Sequence, residues 1–180
     1  MIIHLKQLPN RSNDTTVQDQ HDLSELLSGK DGIRALSPLR IHLQAASAGG
    51  QAKVAGELAT ELELTCSRCL TRYTEPLVIP FDETFVLQNL RQDDVEPELA
   101  ADDDETDDNI HVVTDERVDL TPYIEENVIV SLPFIPLCRD NCVGLCPQCG
   151  TNRNEKSCDC AQDTLDPRWE SLADLFKKQS

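Results

Sequence analysis

The sequence predicts an α+β protein in which an antiparallel β meander, an open barrel-like sheet, is packed by a helix and followed by a cysteine-rich tail with a final helix. Three observations support this class. Apolar and polar residues alternate through much of 39–87, which is typical of strands. Apolar residues recur every four positions in 121–132, which indicates a helix. Six of the eight cysteines then lie between Cys138 and Cys160.

The composition favours a lean core and a basic partner. Hydrophobic residues make up 39% and aromatic residues 4% of the chain, which supports a small core. The length of 180 residues suits one domain with an appendage, which we expect to be a β-rich domain at 1–136 and a cysteine-rich unit at 137–180. The 16 basic residues against 33 acidic ones give a net charge of −17. Since nucleic-acid affinity depends on Lys and Arg contacts to phosphate, this charge disfavours non-specific nucleic-acid binding and favours a basic protein partner.

The first elements are predicted to be short. We expect a strand within 1–8, a polar loop at 9–21 and a short helix at 22–28. Asp22 is suited to cap that helix and Gly29 to end it.

The region 39–87 is predicted as an antiparallel meander of about four strands. The first strand reaches a hairpin turn at Gly49 and Gly50. Two further strands are expected at 73–81 and 84–87. The return strand after the hairpin has one nearly continuous apolar face: Val54, Gly56, Leu58, Thr60, Leu62 and Leu64.

An acidic run separates the meander from the helix. Ten acidic residues and no basic ones lie between Asp93 and Asp108. Low hydropathy with charge of one sign predicts a disordered insert or solvated loop at 91–108, which could also hold a basic partner. A strand is expected to return at 110–113.

The helix predicted at 121–132 has Thr121 as its N-cap, Pro122 at its first position, and Glu125 and Glu126 near its positive end. Its apolar stripe should face the sheet: Leu120, Ile124, Val128 and Leu132. A last helix is expected within 166–178, with an apolar stripe that indicates a packing element: Trp169, Leu172, Ala173 and Phe176.

The tail cysteines indicate a metal site. Cys146 and Cys149 form a CPQCG turn, and Cys158 and Cys160 follow nine residues later. Four thiolates in two close pairs satisfy a tetrahedral ion. Zinc is expected, although iron also accepts sulfur ligands of this kind.

The other four cysteines leave several arrangements open. Cys66, Cys69, Cys138 and Cys142 would make a second tetrahedral site if the end of a strand meets the exit of the helix. Alternatively, Cys138 and Cys142 join the tail cysteines around one or two ions, and the CSRC pair stays free. A redox dithiol is disfavoured because no helix follows CSRC to lower a thiol pKa.

Nothing in the sequence predicts an enzyme. The histidines have no HxxxH or HxE partner, and no GxSxG, P-loop or GxGxxG occurs. Thiolates closed around a metal leave no open position for catalysis. The N-terminus lacks a signal peptide and no run is long enough to span a membrane, so a cytoplasmic location with reduced thiols is expected.

Several motifs occur in an order that resembles the YceD family, the large ribosomal RNA subunit accumulation proteins. They are TCSRCL, FDETF, VDLTPYIEENVIVSLPFIPLC, CVGLCPQCGTNRNEKSCDC and DPRWESLADLF. The resemblance covers about 39–176, and the acidic insert is a departure from the family pattern.

This resemblance implies a role in accumulation of 23S rRNA and in large-subunit biogenesis, in bacteria or in the plastid stroma of plants. It also implies the partition into two sites, because some members lack the tail cysteines and keep the CxRC set. The expected partner is a ribosomal protein or a pre-50S particle, with direct rRNA contact available to Arg139, Arg153 and Lys156 of the tail. The alternatives are a rubredoxin-like electron carrier and a general zinc-ribbon adaptor.

Overall fold

A six-stranded sheet, a two-stranded ribbon and one α-helix form the part of the chain that this computed structural model describes, residues 1–8, 15–48, 51–88 and 109–160. The elements, in chain order, are β1 (Ile2–His4), a 3-10 turn (Leu5–Gln7), β2 (Thr15–His21), β3 (Ile33–Ala35), β4 (Leu39–Ala48), β5 (Gln51–Thr65), β6 (Arg72–Leu87), β7 (Ile110–Val113), β8 (Arg117–Asp119) and α1 (Thr121–Ser131).

The large sheet is open, with β2 at one edge and β7 at the other. Its centre is the antiparallel series β4–β5–β6, in which β5 pairs with β6 along its whole length from Gln51 to Thr65. β7 adds in parallel to the end of β6, and the short β3 pairs with β5. The second sheet joins β1 to β8.

The core lies between the sheet and α1. Alternate side chains of β5 are buried, as the sequence pattern predicts, and Thr60 satisfies its buried hydroxyl by donating to the carbonyl of Ser37 at 2.8 Å. The predicted helix stripe is also confirmed. Leu120, Ile124 and Val128 are almost fully buried, and Leu132 packs at the margin of the core.

Two strand predictions were wrong. Residues 15–21 form β2 rather than a loop, and they pair with β4 over their full length. The segment is polar because it is an edge strand with mostly exposed side chains.

The residues 73–87 form a single strand instead of two, so 39–87 holds three strands rather than four. The polar pair in its middle is compatible with a strand because Asp82 contacts Lys53 at 2.9 Å and buried Glu83 contacts His111 at 2.7 Å.

The predicted helix at 22–28 is a series of turns with a single i to i−4 hydrogen bond, from the amide of Leu27 to the carbonyl of Leu23. Asp22 accepts hydrogen bonds from the amide and hydroxyl of Ser24. The side chain of Asp119 accepts a hydrogen bond from the amide of Thr121 at 3.0 Å. Thr121 is the first residue of α1 and not its N-cap.

The start of α1 differs from the prediction in a second way. The first turn of α1 contains no acidic residue, and Glu125 and Glu126 lie beyond it. The prediction placed the helix start one residue too late and its acidic pair too close to the positive end.

The hairpin turn at 49–50, the acidic insert at 91–108 and the last helix at 166–178 are predictions that lie outside the described residues.

Candidate metal centre

The eight cysteines lie in two groups of four. Within each group all four Sγ atoms lie within 4.8 Å of one another. We call them the sheet group (Cys66, Cys69, Cys138 and Cys142) and the tail group (Cys146, Cys149, Cys158 and Cys160). The structure therefore places Cys138 and Cys142 with the CSRC pair and not with the tail cysteines.

The sheet group lies where β5, β6 and the exit from α1 meet. Cys66 follows the last residue of β5, and Cys69 precedes β6. The chain after α1 lies against the CSRC turn, where the amide of Ser67 donates to the carbonyl of Pro136 at 2.8 Å. The guanidinium of Arg68 donates to the carbonyl of Cys142 at 2.9 Å. Packing of α1 on the sheet thus brings together cysteines that are about seventy positions apart in the sequence.

The sulfur spacing in the sheet group fits a tetrahedral ion. Sγ of Cys66 lies 3.8 Å from Sγ of Cys142, and Sγ of Cys69 lies 3.6 Å from Sγ of Cys138. Zinc–sulfur bonds of about 2.3 Å in tetrahedral geometry put neighbouring sulfurs about 3.8 Å apart. Cys66 and Cys142 are buried. The donor set and its spacing could therefore hold a metal ion at the end of the sheet.

The tail group is more open to solvent. Cys146 is buried, Cys149 is exposed, and Cys158 and Cys160 are half-buried. The tail group could also hold a metal ion, at a position nearer the surface than the sheet group.

The CxxC segments of the two groups have the same backbone geometry. The amide of Leu70 donates to the carbonyl of Cys66 at 3.0 Å, and the amide of Gly150 donates to that of Cys146 at 2.9 Å. Leu70 and Gly150 both have positive φ, 59° and 72°. Positive φ turns the following backbone so that the amides of Thr71 and Thr151 face the sulfurs of Cys69 and Cys149.

A threonine completes each turn. The amide of Cys66 donates to the carbonyl of Thr71 at 3.0 Å, and that of Cys146 donates to Thr151 at 2.8 Å. The segments CSRCLT and CPQCGT are therefore two copies of one turn. The shared pattern C-x-x-C-x-T was present in the sequence, although cysteine spacing alone did not single out the threonines.

Hydrogen bonds in the sheet group favour the thiolate at the CSRC pair. Burial opposes ionisation of Cys66, but hydrogen bonds from the backbone amides of Cys138, Cys69 and Arg68 lower its pKa to about 6. The hydroxyl and the amide of Thr71 lower the pKa of Cys69. Burial and the adjacent sulfurs raise the pKa of Cys138 to about 12. Since neighbouring thiolates repel one another, a bound cation would favour the thiolate form of Cys138.

The tail group shows the same division. The hydroxyl of Thr151 is the main cause that lowers the pKa of Cys149 to about 6. Hydrogen bonding with Cys149, followed by burial, raises the pKa of Cys160 to about 12. In both groups the CxxC turn stabilises negative sulfur, and a nearby cation would favour the thiolate form of the cysteines whose pKa is raised, Cys138, Cys158 and Cys160.

The basic residues predicted for RNA contact lie beside these groups. Arg139 and Lys156 are exposed, and Arg153 is half-buried with its amide donating to the carbonyl of Gly144. Arg68, the arginine of the CxRC motif, contacts the sheet group through the carbonyl of Cys142, and the carbonyl of Arg139 accepts from the amide of Cys142 at 3.1 Å.

Comparison with known proteins decides the family. A family model described as "Large ribosomal RNA subunit accumulation protein YceD" matches residues 54–176. The chain belongs to the YceD family. The match includes all eight cysteines and begins within β5, inside the region of about 39–176 expected from the motifs.

Relatives of this YceD protein occur in bacteria and plants. An uncharacterized protein of Mycobacterium tuberculosis is 31% identical over 153 residues, which are 81% of this chain and 65% of the relative. YlbN of Bacillus subtilis is 29% identical over 180 residues, 98% of this chain and 95% of that protein. A chloroplastic YCED homolog 1 of Arabidopsis thaliana is 22% identical over 156 residues, 77% of this chain and 49% of that protein.

The chain spans 65% of the length of the Mycobacterium bovis and Mycobacterium tuberculosis relatives that it matches. No solved structure matches it. Within the described residues, no helix has both the length and the apolar content that crossing a bilayer requires.

Proposed function

We propose that this YceD protein is a non-enzymatic factor for the accumulation of 23S rRNA, and that it acts in large-subunit biogenesis through contacts with proteins or ribonucleoproteins. The observation that carries the proposal is the family match, whose description names accumulation of the large-subunit RNA. The expected location is the cytoplasm, or the stroma for a plastid member.

Each cysteine group, in this proposal, binds one zinc ion through its four thiolates. Sulfur spacing near the tetrahedral value and amides that face the CxxC sulfurs support zinc at the sheet group. Four thiolates around one zinc ion leave no position for a substrate, so the ions are structural. The sheet-group ion ties the exit of α1 to the ends of β5 and β6, and the tail-group ion folds the tail.

The pairing of other titratable side chains also supports a non-enzymatic role. His111 contacts buried Glu83 at 2.7 Å and lies between the rings of Phe85 and Tyr123. His21 contacts Glu125 at 3.0 Å. The first contact joins the adjacent strands β6 and β7, and the second joins β2 to α1, as expected of structural pairs.

The expected partner is a basic ribosomal protein or a pre-50S particle. The net charge of −17 supports a basic partner. Direct rRNA contact is assigned to the tail unit at 137–180, because exposed Arg139 and Lys156 lie beside the cysteine groups there. The β-rich unit at 1–136 contributes the acidic run.

A depletion strain tests the role in rRNA accumulation. Depletion should lower the ratio of 23S to 16S rRNA and the free 50S peak in a sucrose gradient, and the wild-type protein should restore both. An unchanged ratio would refute the rRNA role and favour a general zinc-ribbon adaptor.

Metal analysis tests the two zinc sites. Wild type should contain two zinc ions per chain, and Cys66→Ser and Cys146→Ser one each. Ser67→Ala, a change beside Cys66 at an exposed residue that the proposal does not use as a ligand, should keep both. A red protein that contains iron would refute zinc and support the rubredoxin-like electron carrier. Loss of both ions in Cys146→Ser, with no ion lost in Cys66→Ser, would refute a sheet site that includes Cys66.

Two matched variants separate the partner classes. A chain without 93–108 should lose a basic ribosomal protein at low salt, while Arg139→Glu with Lys156→Glu should keep it. The same two variants are also tested with rRNA, and loss of rRNA only in Arg139→Glu with Lys156→Glu would assign the contact to RNA through the tail, because phosphate contacts depend on those basic side chains. Full binding by both variants would refute both proposed contacts.

A further inference from the structure

One segment of the tail reaches the sheet group. The side-chain amide of Asn154 donates to Sγ of Cys142 at 3.3 Å. The Oδ1 atom of the same side chain accepts a hydrogen bond from the amide of Val143 at 2.9 Å. Asn154 therefore contacts both a sulfur of the sheet group and the backbone next to that sulfur.

The turn that carries the tail cysteines holds Asn154 in place. Asn152 forms an isolated bridge with Leu145, directly before Cys146. Oδ1 of Asn152 accepts from the amide of Asn154 at 3.1 Å and from its side-chain nitrogen at 2.8 Å. The amide of Arg153 donates to Gly144 at 3.0 Å. The segment that presents Asn154 is thus built on the residues around the tail CxxC.

A second contact runs from the same segment to the CSRC turn. Nδ2 of Asn152 lies 3.4 Å from the hydroxyl of Thr71, and that hydroxyl lies 3.4 Å from Sγ of Cys69. The tail segment therefore reaches two of the four sulfurs of the sheet group, Cys142 directly and Cys69 through Thr71.

N–H groups that donate to a metal-bound thiolate reduce its effective charge and fix its orientation, and loss of such a partner typically weakens metal binding by about 10- to 100-fold. We propose that Asn154 is a positioning residue for the sheet group, and that metal binding in the tail group, by ordering Asn152 and Asn154, strengthens metal retention in the sheet group. This inference rests on the proposed zinc binding.

The coupling acts in both directions. If metal in the tail group raises affinity at the sheet group, metal in the sheet group must raise affinity at the tail group by the same factor. The tail group then serves as a support for the sheet group and does more than fold the tail.

The test uses the zinc-loaded full chain and the rate of zinc release to a chromogenic chelator. Asn154→Asp replaces the donating NH₂ by an oxygen and keeps the acceptor for Val143. Release from the sheet group should be about 10- to 100-fold faster. Asn141→Asp is the matched control, because it adds the same charge beside Cys142 at an exposed position. It should release zinc as wild type does.

A spectroscopic readout separates positioning from general loosening. With Co²⁺ as the probe, loss of the N–H donor raises the energy of the sulfur lone pairs, so the sulfur-to-cobalt charge-transfer band should move to longer wavelength in Asn154→Asp and stay in place in Asn141→Asp. If Asn154→Asp does not fold, as judged by circular dichroism, Asn154→Ala carries the same expectation.

Cys149→Ser, which removes a tail ligand, tests the coupling, and it should also speed release from the sheet group. Wild-type release and an unshifted cobalt band in the Asn154 variants would overturn the positioning role, and an unchanged sheet-group rate in Cys149→Ser would overturn the coupling. Absence of zinc and cobalt binding by wild type would instead refute the proposed zinc sites, so the two failures are distinguishable.

Discussion

Replacing Gly150 by alanine should weaken the tail metal site through backbone conformation alone. Gly150 follows Cys149 with a φ of 72°, and a Cβ at this position would meet nothing within 4 Å. Leu70 shows that the same turn accepts a side chain, since it has a φ of 59° and is 63% exposed. The cost is therefore the intrinsic cost of the left-handed region and not a steric clash.

The magnitude follows from two opposing effects. A non-glycine residue in the left-handed region costs about 1–2 kcal/mol. Alanine also reduces the freedom of the unfolded chain, which returns about 0.4–1 kcal/mol. The net loss is about 1 kcal/mol. In the proposed zinc site, where the tail folds around its ion, this loss corresponds to about fivefold weaker metal binding.

The assay is competition for zinc between the protein and a chelator of known affinity, with Cys66→Ser as the background so that only the tail ion is measured. Gly29→Ala is the matched control. Gly29 has a φ of 83° with open space where a Cβ would lie, and it is remote in sequence from the tail. It should lower the free energy of unfolding by a similar amount and leave tail zinc affinity unchanged.

Two results would refute this reasoning. Unchanged zinc affinity in Gly150→Ala would show that the turn does not need the left-handed conformation when metal is bound. A loss greater than about 100-fold would exceed what backbone conformation supplies, and would point to a contact that the open space around Gly150 does not contain.

Three further predictions concern the fold. Ile124→Ala should lower the free energy of unfolding in urea by about 2–5 kcal/mol because the side chain is fully buried. The control Val130→Ala, at a side chain that is 79% exposed, should lower it by less than about 0.5 kcal/mol. Equal losses would contradict the packing of α1. Glu83→Leu should lower the free energy of unfolding by about 1–3 kcal/mol in the same urea assay at pH 7, because it removes the buried partner of His111. An unchanged urea midpoint would show that the Glu83–His111 pair does not stabilise the fold. The amino group of Met1 and hydrogen bonds from Thr121 lower the pKa of Asp119 to about 2. The stability that ionised Asp119 adds is therefore present above pH 4 and is lost as pH falls through 2. Asp119→Asn should reduce the acid dependence of thermal unfolding in that window, and an identical pH profile would refute the contribution.

Much of the fold could be predicted because its signal is local. β5 alternates apolar and polar side chains over fifteen residues, and α1 repeats apolar residues every four positions, so each pattern identified its element. β2 escaped prediction because its residues are polar and its stability comes from backbone pairing with β4. β6 was divided in two because Asp82 and Glu83 interrupt its pattern, and their partners lie on β5 and β7.

The cysteine groups show the same limit at the scale of the site. A CxxC turn is a local structure, so spacing alone identified Cys66 with Cys69 and Cys146 with Cys149 as pairs. Spacing left open which cysteines complete each pair, and only the family resemblance implied the partition into four and four.

The amino-acid order alone was enough to indicate thiol pairs suited to a metal, a β-rich domain, one packing helix and the YceD family, because each depends on residues close together in the chain. Tertiary structure decided that Cys138 and Cys142 join the end of β5, since burial of α1 against the sheet brings them there. It also decided that Asn154 of the tail contacts Cys142. Contacts of this kind depend on how whole elements pack, and no local pattern encodes them.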